Sequence, residues 1–235
     1  CGICRCYFRA RLSTRRLGWH FNPYRFITMT EIEILDEDDR MIVINKPRGL
    51  SVHNGPENLI AVLADGLGHR FKPVHRLDRE TSGIILLAKS KLAAAELQGD
   101  LLDPATKKIY VALVKGSPKG SSGEWRQSIS PKAEGRRNPR GTSKDRVDAI
   151  TKYKVLAQTQ WVSKLECQLM TGRQHQIRKH AALAGCHVIG DRRYGEPKHA
   201  QMIEKRYAFE GLALHAMMLK IRIGGRNRVF RANPP

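Results

Sequence analysis

The chain has 235 residues, 41% apolar and 27% charged, and its 42 Lys and Arg against 22 Asp and Glu give a formal net charge of +20. That length suits one good-sized core and is short for three domains, and no apolar run approaches the roughly 18 residues that span a bilayer, so a soluble globular protein with no membrane role is expected. A charge so far beyond the needs of solubility implies an anionic partner, and phosphate backbones fit best because cationic side chains displace their condensed counterions.

Residues 1–30 contain no acidic residue and several arginines, as in RARLSTRR. They are expected to form a basic N-terminal extension, disordered or not native, ahead of a folded domain over residues 31–235. Organelle transit peptides share this composition. Cys1, Cys4, Cys6, Cys167 and Cys186 are odd in number and unevenly spread, so they form no disulfide framework, and the first three lack the second pair of ligands that zinc prefers. A reducing, cytoplasmic setting suits them.

From Glu31 the texture changes. EIEIL and MIVINK are short β-prone runs, and KPRGL closes the second with turn residues. IILLAKS is an apolar strand of the buried kind, KLAAAELQGDLL has helical composition, and KKIYVALVKG returns to strand. Residues 116–146 are rich in Gly, Ser, Pro and basic side chains and read as a long surface excursion, either a solvated loop or a mobile basic flap, with Arg136 and Arg137 the residues to test. WVSKLECQLM alternates, with Leu165, Cys167 and Leu169 on one face. Many strands, few helices and no regular βαβ alternation point to an α+β domain around a mixed, largely antiparallel sheet.

Two clusters could carry chemistry. In HRLDRETSG, Asp78 lies between Arg76 and Arg79, whose charge favours its anionic form. A lasting carboxylate is a poor general acid but a useful nucleophile or electrostatic partner, although an isolated Arg-x-Asp-Arg is more often a structural ion pair. In MTGRQHQIRKH, a helix starting near Thr171 and Gly172 would put Arg173 at its N-terminus as a seat for phosphate. On that helix His175 and Arg178 share a face, while His175 and His180 do not, which disfavours a two-histidine metal site. Tyr110 in KKIYVAL and Leu214 in LALHAMML, taken singly, read as core.

Together INKPRGLSVH, HRLDRETSGIILLAK, KKIYVALVKG, TGRQHQIRKHAALAGCHVIGDRRYG and LALHAMML resemble, in order and spacing, the RluA family of RNA pseudouridine synthases, from about Glu31 to the end. The resemblance implies the pseudouridine synthase fold, with an RNA-binding cleft, and isomerisation of uridine to pseudouridine in ribosomal or transfer RNA with neither metal nor organic cofactor. It places the catalytic aspartate on Asp78, the active-site tyrosine on Tyr110 and the basic partner of the aspartate on Arg178. Arg76 would help extrude the target base, Arg173 and His175 would contact RNA, and Leu214 would supply an apolar wall. The carboxylate would attack C1′ or C6 of the target nucleotide. The sequence departs from the family's usual pattern in the basic KIRIGGRNRVF and at Pro104, which bears on substrate grip. Thr81, Ser82 and Gly83 are expected to turn the chain so that a loop carries Asp78. The competing reading is a non-catalytic RNA-binding or ribosome-assembly protein on the same scaffold, against which the set of Asp78, Tyr110 and Arg178 argues, because a pure binder has no use for an anion facing phosphate.

Overall fold

A computed structural model describes residues 28–135, 138–141 and 144–235. The expectations for most of residues 1–30, and for Arg136 and Arg137, therefore lie outside the described residues. A 3-10 turn, Met29–Glu31, comes first, and the Thr28 N–H donates to the Glu31 carboxylate. This cap explains why the strand expected at EIEIL begins late, as β1, Glu33–Glu37. There follow β2, Met41–Lys46; α1, Leu59–Leu67; β3, Lys72–Pro73; β4, Ser82–Ala88; α2, Lys91–Leu102; β5, Lys107–Lys115; β6, Ser122–Trp125; β7, Thr151–Gln158; β8, Val162–Leu169; α3, Gln176–Leu183; α4, Pro197–Tyr207; β9, Leu214–Ile223; and β10, Arg226–Arg231.

The strands form one ten-stranded sheet in the order β1-β2-β4-β9-β5-β8-β7-β6, with β10 beside β9 and β3 beside β4. Every pairing is antiparallel except that of β4 with β9, so the expected mixed, largely antiparallel α+β sheet is present. The centre of the sheet is covered on both faces. Ile42, Ile44, Ile85 and Leu87 pack with Leu59 and Leu63 of α1 and Ile177 of α3, while Met41, Val43, Ile84 and Leu86 pack with Leu97 of α2. Period-two alternation in β2 and β4 thus supplies apolar groups to both sides, which is why neither run shows polar residues between the apolar ones.

Two expectations need correction. Ser82 and Gly83 do not belong to the turn; they open β4 and are buried, and the turn is closed one residue earlier by the Thr81 N–H donating to the Asp78 carbonyl at 3.0 Å. Gly83 sits at φ 110°, and a Cβ there would lie 2.3 Å from the Ala216 carbonyl oxygen, so glycine is what lets β4 and β9 meet in parallel just beyond Asp78. The excursion over residues 116–146, in turn, is neither a plain loop nor a free flap. It contributes β6 to the sheet edge; Trp125 stacks on Tyr153 with ring centroids 4.7 Å apart, and buried Ile129 bridges to Val147. Fully buried Lys179 donates to the carbonyls of Ser130 and Lys132 at 2.8 and 2.6 Å. These anchors are single residues in a Gly- and Ser-rich stretch, too sparse to register as a periodic pattern.

Candidate active site

Asp78 lies in the loop between β3 and β4, with its side chain 17% exposed, at the wall of a cleft of about 1130 Å³. Leu77 is buried and ties this loop to the core, so Arg76 and Arg79 on either side point outward. A second loop backs it up. Gly49, at φ 86° in the turn after β2, donates its N–H to the Arg79 carbonyl at 2.9 Å and accepts from Arg79 Nε at 2.8 Å. Lys46, at the end of β2, is fully buried and donates from Nζ to the carbonyls of Pro47, Leu50 and Arg79. Burial pushes this ammonium down to about 7, with Glu80 and Asp78 opposing. Three carbonyl acceptors satisfy its three donors, so it holds the two loops in register without competing for Asp78.

The cation that faces Asp78 is Arg178, one hundred residues on, rather than its sequence neighbours. Arg178 Nη1 lies 3.4 Å from Asp78 Oδ2, while Nε and Nη2 each donate to Asp191 at 2.8 Å. Burial alone would lower the pKa of Arg178, but Asp191 and then Asp78 raise it well above the usual range, so it is a fixed cation. Asp191 also accepts from the backbone N–H groups of Arg193 and Tyr194 at 2.9 and 3.0 Å. Burial opposes its charge, yet Arg178 and these amides hold its carboxyl below the ordinary range. Asp191, Arg178 and Asp78 together carry one net negative charge, and the weak partner in that set, Asp78, is the one at the cleft.

His175 approaches the other oxygen, with Nε2 3.6 Å from Asp78 Oδ1. Its Nδ1 is 2.8 Å from the Tyr194 hydroxyl. It takes the left-handed conformation, φ 55°, as the residue capping α3, but its side chain makes no capping bond. Burial brings it down to about 4 against the pull of Asp78, so it is neutral near pH 7.

Thus α3 starts at Gln176 and not near Thr171. Thr171 and the Arg173 N–H both bond the Gln176 side-chain oxygen, forming a loop that ends in the His175 kink. Arg173 lies before the helix, exposed, with Nε on the Asp148 carbonyl, and is not at a helix N-terminus. His180 faces the opposite way, bonded to Thr151 and the Gln127 carbonyl. Tyr110 on β5 is buried between β8 and β9 and does not line the cleft, although the Asp78 charge reaches its hydroxyl; burial first, and then that charge, push the phenol up. Leu214 is likewise off the cleft. As the first residue of β9, paired to Ala112, it faces the core and a small adjoining cavity, and Leu212 of the preceding loop reaches the cleft wall instead.

The motifs alone assign no role to Asp191, Tyr194, Lys46 or Leu212. Asp191 and Tyr194 stand together in GDRRYG, and a carboxylate and a phenol within four positions of each other are a local signal that pattern reasoning could have used.

The sequence model of the RNA pseudouridylate synthase family matches residues 40–183. The chain is 34% identical over 201 residues to an uncharacterised RNA pseudouridine synthase of Bacillus subtilis, covering 80% of this chain and 64% of that one. It is 34% identical over 219 residues to ribosomal large subunit pseudouridine synthase C of Escherichia coli, covering 86% of this chain and 66% of that one. The chain therefore spans less than two thirds of either relative. Among solved structures, human RNA pseudouridylate synthase domain containing 1 superimposes with a TM-score of 0.72 at 25% identity, covering 87% of this chain and 84% of that one. Human RNA pseudouridylate synthase domain containing 4 gives 0.71 at 27% identity, with 86% and 88% covered.

Proposed function

Because the chain belongs to the RNA pseudouridylate synthase family, within it the RluA group, we propose that it isomerises uridine to pseudouridine at a specific position of a structured RNA, ribosomal or transfer. The observation that carries this reading is the arrangement of Arg178, held by Asp191 through two bonds of 2.8 Å and reaching Asp78 only at 3.4 Å, which leaves the Asp78 carboxyl group loosely held at a cleft whose walls are otherwise rich in arginine.

The target nucleotide must leave its stack to reach Asp78. Unstacking costs a few kcal/mol and is cheapest in loops. Arg76, exposed at the cleft and two residues before Asp78, would occupy the vacated space. The Asp78 carboxylate attacks the nucleotide at C1′ or C6, the N1–C1′ bond breaks, the uracil turns, C5 bonds to C1′, and the bond to Asp78 breaks to return the free carboxylate. The C5 proton is then lost and N1 gains one, so atoms and charge balance. Tyr110 feels the Asp78 charge, and its pKa, raised by burial and then by that charge, keeps it a neutral phenol.

The test is release of tritium from RNA labelled at uridine C5, comparing the wild type with Asp78→Ala on bulk transfer RNA and unmodified ribosomal RNA fragments. Release by the wild type alone supports the isomerase and selects the substrate class. Release by both removes Asp78 from its role, and release by neither moves the weight to a non-catalytic RNA-binding protein.

A further inference from the structure

The two side chains that approach the Asp78 carboxylate, His175 and Arg178, both meet Tyr194. The Tyr194 hydroxyl lies 2.8 Å from His175 Nδ1, its ring centroid is 5.3 Å from the Arg178 guanidinium carbon, and its backbone N–H donates to Asp191 at 3.0 Å. His175 and Arg178 then reach different oxygens of Asp78, at 3.6 and 3.4 Å. Tyr194 itself is buried.

We propose that Tyr194 is a positioning residue for Asp78: its hydroxyl donates to His175 Nδ1, which fixes the imidazole as the Nε2–H tautomer aimed at Asp78 Oδ1, while its ring steadies Arg178 against Oδ2. The inference rests on the reading of Asp78 as the catalytic carboxylate. A neutral imidazole has one donor and one acceptor nitrogen, and the partner of one decides the role of the other. Asp78 can only accept, so a donor is useful on its side and the acceptor must face a hydroxyl. The phenol qualifies, because burial pushes its pKa up and keeps its proton in place. The charged groups around His175 are Asp78, Arg178, Lys179 and Arg193, three cations against one anion, which opposes protonation of the ring. The left-handed backbone at His175 is a cost that its side chain does not recover by capping α3; it turns the imidazole toward Asp78. Both contacts on Asp78 are long, as expected of a site that tightens only around substrate.

Long-range 15N correlations of the histidine rings give a readout independent of RNA. The wild type is expected to show His175 neutral, with the proton on Nε2, from pH 5.5 to 8, and Tyr194→Phe to redistribute that proton between the two nitrogens. An Nδ1–H ring in the wild type, or an unchanged tautomer in Tyr194→Phe, overturns the proposal. In turnover, Tyr194→Phe should lower kcat about tenfold, the effect of one lost hydrogen bond in the transition state, with KM for RNA and the melting temperature held. The same change made in a His175→Gly background should add nothing; an additive loss, or a loss carried by KM, counts against the role. If the wild type converts no RNA, the isomerase reading fails and the tautomer alone decides the position of Tyr194.

Discussion

Asp191 binds Arg178 through two hydrogen bonds of 2.8 Å, whereas the distance from Arg178 to Asp78 is 3.4 Å. The tight pair is buried and the loose one borders the cleft, so the guanidinium is anchored by the carboxylate that does no chemistry and lends only part of its field to the one proposed to do it. Removing one partner of a buried ion pair leaves an uncompensated charge and costs about 3–5 kcal/mol, while replacing both by apolar groups can be neutral.

Asp191→Ala should therefore lower stability by about 3–5 kcal/mol and free Arg178 to close on Asp78, depressing turnover more than RNA affinity. The double change Arg178→Met with Asp191→Leu should recover much of the stability and none of the turnover. Urea midpoints and single-turnover rates, measured on the same preparations, separate the two effects. A double variant that is active would show that Arg178 is structural only.

Gly83→Ala should destabilise by at least about 2 kcal/mol, because the new methyl must displace the backbone of Ala216 at a φ that L-residues rarely adopt. Gly99, inside α2 with nothing within 4 Å of a Cβ, offers the contrast: Gly99→Ala should stabilise by about 0.5–1 kcal/mol. Denaturant unfolding of both variants checks the pair.

Acid should weaken the fold before the carboxylates titrate. His175 falls to about 4 and His75 to about 3 from the usual 6.5, each chiefly by burial, and His180, His187 and His215 are lowered too. His75 has its Nε2 committed as acceptor for the Leu86 N–H, which a proton would break. As pH falls through 6.5 the unfolded chain takes up protons that the folded chain refuses, so stability is complete above 6.5 and declines toward 4. Each histidine kept neutral contributes a slope of about 1.4 kcal/mol per pH unit across that window. Urea unfolding between pH 4.5 and 7.5 would reveal it; a flat profile would mean that these rings titrate alike in both states.

The anchored excursion presents Lys132 and Arg140 to solvent, and the cleft residue Arg193 donates to the carbonyls of Ala133 and Glu134 at its base. Lys132→Glu together with Arg140→Glu should weaken RNA binding and reduce its salt slope by about one unit for each phosphate no longer neutralised, with turnover at saturating RNA preserved. Affinity that is indifferent to the change would limit this segment to packing.

Elements with strong local signals were legible. MIVINK and KLAAAELQGDLL form β2 and α2 with the expected bounds, because a buried apolar run and a segment dominated by Ala, Leu and other helix formers need no distant partner to declare themselves. The hairpin of β9 and β10, turning at Gly224 and Gly225 with φ of 55° and 81°, and α4, with Pro197 at its first turn and Lys205 and Arg206 in its last, carried readable signals that the basic composition masked. At Thr171 the helix start was misplaced because Gln176 uses its side-chain amide to bond Ile150 and Thr151, a contact with β7 that no local rule supplies.

By itself the sequence carried the family resemblance in its motifs, the sheet-forming runs in their composition and, through that resemblance, the pairing of Arg178 with Asp78. That Asp191 and Tyr194 stand behind the pair of Arg178 and Asp78, and that Leu212 rather than Leu214 reaches the cleft, became visible only in three dimensions. Those outcomes turn on differences of about an ångström between loops far apart in the chain, a scale at which a hydrogen bond is made or missed. Such distances are set by how β4 and β9 close at Gly83 and how Lys46 pins its two turns, and neither closure is written in any local pattern.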